Sequence, residues 1–134
     1  MKDHKVERLS QLPIFGSAHS WKIKRLAAVA DEVTVRRGTT LIGRSERTTD
    51  FFVIEQGTAA RQDDGQRAIE LRRGDVFGEL PVTHVHGQQS REMIVAETDL
   101  RMLVIRRDAF PLLNDLFPEL SGTLSEAVAL HSGF

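Results

Sequence analysis

The sequence contains no cysteine. Disulfides, thiolate nucleophiles and every cysteine-ligated zinc or iron–sulfur site are therefore excluded, although the redox compartment stays open. Neither charge is in excess: 18 Lys and Arg face 19 Asp and Glu, for a formal net charge of −1. The basic footprint that most nucleic-acid binders carry is missing. No apolar run approaches the roughly 18 residues of a membrane span; stretches such as Leu26 to Ala30 are short. The N-terminal MKDHKVERLS lacks the apolar core of a secretory signal, so the expected location is cytoplasmic. There is no Gly-x-x-x-x-Gly-Lys phosphate loop, no recognisable Ser/His/Asp set, no internal repeat and no low-complexity tract. What the 134 residues do have, 40% hydrophobic and 28% charged, suits one soluble domain over 1–134.

Texture divides the chain in three. Residues 5–30 read as helical, 33–105 as short strands with turns, and 107–131 as helical again. In the first part Val6, Leu9 and Leu12 recur at helical spacing until Pro13 stops the run. A second helix follows the capping candidates Ser17 and Ser20, with Ile23, Leu26, Ala27 and Ala30 on one face. Trp21 reads as a core anchor.

The middle holds β-rich runs at Val33–Val35, Leu41–Ile42, Phe51–Ile54, Ala68–Leu71, Met93–Ala96 and Arg101–Ile105. Turn signals separate them at Arg37-Gly38, Gln56-Gly57, Asp63-Asp-Gly65, Arg73-Gly-Asp75 and Thr98-Asp99. Asp64-Gly65 suits a hairpin turn, because glycine tolerates the positive φ it requires. Many short strands at this spacing predict a sandwich or barrel. In the last part Asp108 is an N-cap candidate ahead of Phe110, Leu112 and Leu113. Phe117-Pro118 breaks that helix, and Leu120, Leu124, Ala127 and Val128 form a further stripe at helical spacing. The predicted class is mainly β with flanking helices: an antiparallel β-roll, or jelly roll.

The segment Arg73-Gly-Asp-Val-Phe-Gly-Glu-Leu80 carries the chemistry. A glycine followed by an acid, between a strand and a helix start, makes a place where backbone N–H groups can face an anion. Glu79 there can accept hydrogen bonds from a sugar hydroxyl, and a nearby arginine would fork onto a phosphate.

These residues are part of a longer order. It runs Pro13-Ile-Phe15, Val33-Thr-Val35 with Arg37-Gly38, Phe52-Val-Ile-Glu-Gln-Gly57, Gly74-Asp-Val-Phe-Gly-Glu-Leu80, Ala96-Glu-Thr-Asp99 and Leu103-Val-Ile105. It resembles the cyclic nucleotide-binding domain of the bacterial catabolite activator protein, of protein kinase A regulatory subunits and of gated channels. The resemblance implies a β-roll flanked by helices and a phosphate-binding cassette beginning at Gly78. It implies that Glu79 takes the ribose 2′-hydroxyl and that the Gly78 and Leu80 backbone lines the cassette. The ligand would be cAMP or cGMP.

The cassette departs from the family pattern in two places. Pro81 stands where a small residue would donate its N–H to the cyclic phosphate, and proline has none to donate. Counting back from Ala96, the phosphate-binding arginine of the family falls on Ser90, with Arg91 one place off. One residue of displacement on a strand turns a side chain to the opposite face, although a bulge would restore it. A charged hydrogen bond contributes about 1.5 to 3 kcal/mol, so losing the arginine weakens binding roughly ten- to a hundredfold. Ser45 and Thr48 also replace two glycines usual before the Phe51 strand.

Other constellations read more weakly. His84 and His86, at i and i+2, resemble the opening of a cupin metal motif, but Ser90 and Arg91 occupy the place of its next ligand. Loop-tip histidines in solvent are the simpler reading, and no metal or other cofactor is expected. The arginine pairs at 36–37, 72–73 and 106–107 read as solvated turn charges. Only 16 residues follow Pro118, too few for a three-helix DNA-reading unit, so no nucleic-acid partner is expected. The expected protein is a stand-alone, non-enzymatic sensor that relays to a partner protein, or to a second copy, through its C-terminal helix. A ligand-free interaction module on the same roll is the alternative, and a cupin-like metal enzyme the third.

Overall fold

The computed structural model describes residues 4–16, 18–43, 49–62, 68–79, 93–120 and 122. Helix α1 spans His4–Ser10, a 3-10 turn Pro13–Phe15, and α2 Ser20–Val29. Among the described residues eight strands follow: β1 Asp31–Val35, β2 Thr40–Ile42, β3 Phe51–Gln56, β4 Ala59–Gln62, β5 Ile69–Leu71, β6 Val76–Gly78, β7 Met93–Ala96 and β8 Leu100–Ile105. A 3-10 turn at Arg107–Ala109 leads into α3, Phe110–Leu116.

The strands form two four-stranded antiparallel sheets, ordered β1-β8-β3-β6 and β2-β7-β4-β5. Among the described strands only β4 and β5 are both consecutive and paired, with Ala59 opposite Leu71 and Arg61 opposite Ile69. That pairing is the hairpin expected around Asp64-Gly65, which itself lies outside the described residues. Every other pairing is non-local, as in a double-sheet jelly roll.

Alternation along β3 and β8 explains how one chain serves two cores. Ile54, Leu100 and Met102 join Phe77, Ile42, Ile94 and Ala96 between the sheets. Their neighbours Phe51, Val53, Leu103 and Ile105 face the other way and meet the helices. Onto that face α1 brings Leu9, α2 brings Ile23, Leu26 and Ala27, and α3 brings Leu113 and Leu116. The Phe15 and Phe117 rings, 5.0 Å apart, tie the N-terminal turn to the end of α3.

Three sequence expectations fail locally. Trp21 is not a core anchor: it is 54% exposed, because Ile23, Leu26 and Ala27 take the inward face of α2 and leave Trp21 on the other. Ser20 is the first residue of α2 and not its cap; His19 precedes the helix and its side chain makes no capping bond. Ser17 lies outside the described residues. Asp108 falls inside the 3-10 turn, and the residue before α3 is Ala109. Two strands, β4 and β6, were also not among the β-rich runs. Ala59-Ala-Arg-Gln62 is poor in β-branched residues and pairs because β5 and β7 lie on either side of it.

Candidate functional site

Strand β6 is the edge of the first sheet, and it places the Gly-Glu pair. Phe52 lies opposite Phe77 and Phe51 opposite Gly78. The Phe52 and Phe77 rings stack at 4.8 Å with only 5° between their planes, which fixes the register just before the turn. Gly78 then adopts φ 89°, a conformation that side chains with a Cβ rarely take. A Cβ there would also lie 2.4 Å from the Asp50 carbonyl oxygen and 2.8 Å from the Phe52 ring. Only glycine lets the chain pass this close to β3.

Immediately beyond, the Glu79 N–H donates to the Asp50 carbonyl at 2.9 Å. The backbone bond continues the β3–β6 ladder by one step and anchors Glu79 while its side chain remains half-buried. The Glu79 amide is thereby engaged by the Asp50 carbonyl. Leu80, Ser90 and Arg91 lie outside the described residues, as do Pro81, His84 and His86. Of the sequence-derived site, the structure therefore places Gly78 and Glu79 side by side. The chain re-enters the described region at Met93, in the second sheet, where Ile94 and Ala96 are buried.

The remaining candidates have ordinary surroundings. Arg72 meets the Glu70 carboxylate at 3.3 Å and Arg106 meets Asp31 at 3.6 Å. Arg73 donates to the Gln11 carbonyl at 3.4 Å, and the Arg37 N–H donates to the Asp99 carboxylate at 3.0 Å. Among the described residues there is no group of three or more His, Asp or Glu that could hold a metal ion. No helix among them is long and apolar enough to cross a membrane. Of the proposed C-terminal stripe, Leu120 is described and buried; Leu124, Ala127 and Val128 are not described. The sequence reading overlooked one pair, Glu32 and Glu55, on the helix-facing side of the first sheet. Glu55 sits in the apolar run Phe51–Ile54 continued to Gln56, and an acid there was the available signal.

Comparisons with known proteins agree on the architecture. The chain is 25% identical over 103 residues to a cAMP-dependent protein kinase regulatory subunit of Schizosaccharomyces pombe, a match covering 76% of this chain and 24% of that protein. Across three curated relatives it matches, all cAMP-dependent protein kinase regulatory subunits, it spans 22% to 31% of their length. Among solved structures, it resembles the regulatory domain of Toxoplasma gondii PKA crystallised with cAMP, with a TM-score of 0.73 at 20% identity. That likeness covers 94% of this chain and 49% of the other. The regulatory subunit of a cAMP-independent protein kinase A from Trypanosoma cruzi, bound to guanosine, gives 0.76 at 20% identity, covering 94% and 45%. These likenesses show a shared fold. The family model for the cyclic nucleotide-binding domain matches residues 32–113, from β1 into α3 and through the Gly78-Glu79 turn, and the chain belongs to that family.

Proposed function

We propose that this chain is a cytoplasmic, non-enzymatic sensor module that binds cAMP or cGMP against the Gly78–Leu80 turn and passes its state to a partner protein. The observation that carries this reading is the Gly78-Glu79 geometry. A residue that only glycine can occupy holds half-buried Glu79 at the sheet edge, and the resemblance to the family implies the ribose-binding acid at that position. Glu79 accepts the ribose 2′-hydroxyl in this reading, and Arg91 is the phosphate partner, with Ser90 beside it. Pro81 removes one backbone donor, so the phosphate is held by fewer bonds than the family pattern provides. Occupancy then shifts the population of the cassette and of the C-terminal segment, which is where a partner or a second copy docks.

A second reading follows from the Trypanosoma cruzi neighbour, which holds guanosine, a nucleoside without phosphate. A cassette short of phosphate donors but retaining its ribose acid suits such a ligand as well. Titration calorimetry with cAMP, cGMP and guanosine separates the two. The first reading predicts binding of a cyclic nucleotide that Glu79→Ala weakens roughly ten- to a hundredfold, the loss expected for one charged hydrogen bond. Binding of guanosine alone selects the second reading. No heat with any of the three at millimolar concentration contradicts both, and leaves a ligand-free interaction module.

A further inference from the structure

The face of the first sheet that the helices cover is apolar except for one cluster of charges. Glu55 on β3 shares that face with Phe51 and Val53 and is only 5% exposed. Neither of its carboxylate oxygens has a hydrogen-bond partner among the described residues. Arg101 of β8 approaches with Nε 3.3 Å from Oε2, but out of line for a hydrogen bond. On β1, Glu32 is gripped in bidentate fashion by Arg8 of α1, whose Nε lies 3.0 Å from Oε2 and Nη2 2.5 Å from Oε1. Lys5, also on α1, donates to the carbonyls of Ala27, at 2.6 Å, and Ala30 at the end of α2. The turn beside β3 adds Arg73, whose guanidinium bonds the Gln11 carbonyl, and Asp75, whose carboxylate accepts the Arg72 N–H. Both are engaged away from Glu55.

We propose that Glu32 and Glu55 form a proton-operated latch, in which one proton held between the two carboxyls keeps α1 docked on the first sheet and its loss releases α1. Two ionised carboxylates side by side repel each other and compete for the single Arg8. A proton on Glu55 removes the repulsion and supplies the hydrogen that its orphaned oxygens lack, directed at Glu32. Arg8 then holds Glu32 without competition from a second charged carboxylate, and it ties α1 to β1. When the proton leaves, a charge remains under α1 where water reaches it only if α1 lifts.

The electrostatics of the pair point the same way. Burial, and then the neighbouring Glu32, push the Glu55 carboxyl up to about 7 from its ordinary 4.5, with Arg101 and Arg8 only partly opposing. The Arg8 guanidinium holds Glu32 below 4.5. Between 4.5 and about 7 the folded chain therefore keeps a proton that the unfolded chain has released. Stability from Glu55 is full below 4.5 and falls as pH rises through about 7, by at most roughly tenfold in the unfolding constant per pH unit. Glu32 works oppositely, its contribution fading as pH drops below the usual carboxylate range.

The test pairs thermal unfolding with amide hydrogen exchange, corrected for intrinsic rates, from pH 5 to 9 on the full chain and on Glu55→Gln. Glutamine keeps the shape and a donor but cannot lose a proton. The latch predicts that α1 amides of the native chain lose protection above neutrality, several-fold more than those of α2, and that the variant stays protected throughout. Carbon-13 titration of the Glu55 carboxyl in the native chain gives an independent reading and needs no variant. A native chain whose α1 protection is flat with pH, or a Glu55 carboxyl that titrates near 4.5, overturns the proposal. None of the three measurements involves a nucleotide, so the latch stands or falls separately from the sensor reading.

Discussion

A methyl group at Gly78 would meet backbone, not a flexible side-chain end, since the nearest atom is the Asp50 carbonyl oxygen that also holds the Glu79 amide. Gly78→Ala must therefore bear both a left-handed backbone and a displaced strand. Gly38 offers a matched control: its φ is also 89°, but nothing lies within 4 Å of the added Cβ. Chemical denaturation should show Gly38→Ala costing about 1 to 2 kcal/mol from backbone strain alone. Gly78→Ala should cost about 3 kcal/mol or more, with strain and overpacking combined. Equal losses would mean that β3 does not hold the turn. The identity of this glycine was legible in the sequence as part of Gly74-Asp-Val-Phe-Gly-Glu-Leu80; its pressure against Asp50 was not, because Asp50 is brought in by a non-local strand pairing.

At the scale of elements, the chain shows how poorly residue type alone predicts placement. The apolar spacing of α2 correctly put Ile23, Leu26 and Ala27 inward, yet Trp21 lies outside with the Lys22 ammonium 5.8 Å from its ring. Periodicity carried the information, and the general habit of tryptophan misled. Helix ends misled in the same way. Neither Ser20 nor Asp108 caps, and Lys5 from α1 instead serves the C-terminal carbonyls of α2, a contact across 25 residues. Strand β6 was hidden because three residues are too few to display alternation, and only pairing with β3 defines them. Packing predicts a sharp contrast between two aromatic truncations. Phe15→Ala, at the junction of the N-terminal turn and α3, should cost about 3 to 5 kcal/mol. Trp21→Ala should change stability by no more than about 0.5 kcal/mol. Urea unfolding of both variants checks this, and a large loss at Trp21 would show that its exposed face is covered.

For the whole molecule, the flanking helices and the regular spacing of turns sufficed to predict a β-roll, since few other folds accommodate many short strands bounded by amphipathic helices. The pairing order could not be read, because all but one pair of neighbouring strands are distant in sequence. The same division holds for the site. Gly78 and Glu79 were readable because they are contiguous and chemically distinctive. The Glu32–Glu55 pair was invisible because β8 lies between β1 and β3 and joins their acids on one face. The two features lie in different parts of one architecture: the Gly-Glu turn at the sheet edge, and the carboxyl pair on the helix-facing side, where Arg8 of α1 holds Glu32. Mapping backbone amide shifts of the nitrogen-15-labelled chain during titration with cAMP, and separately with cGMP, tests the account most directly. It predicts saturable shifts concentrated at Gly78, Glu79 and Asp50, the residue just before β3; no shift at millimolar nucleotide, or shifts that leave these residues untouched, would contradict it.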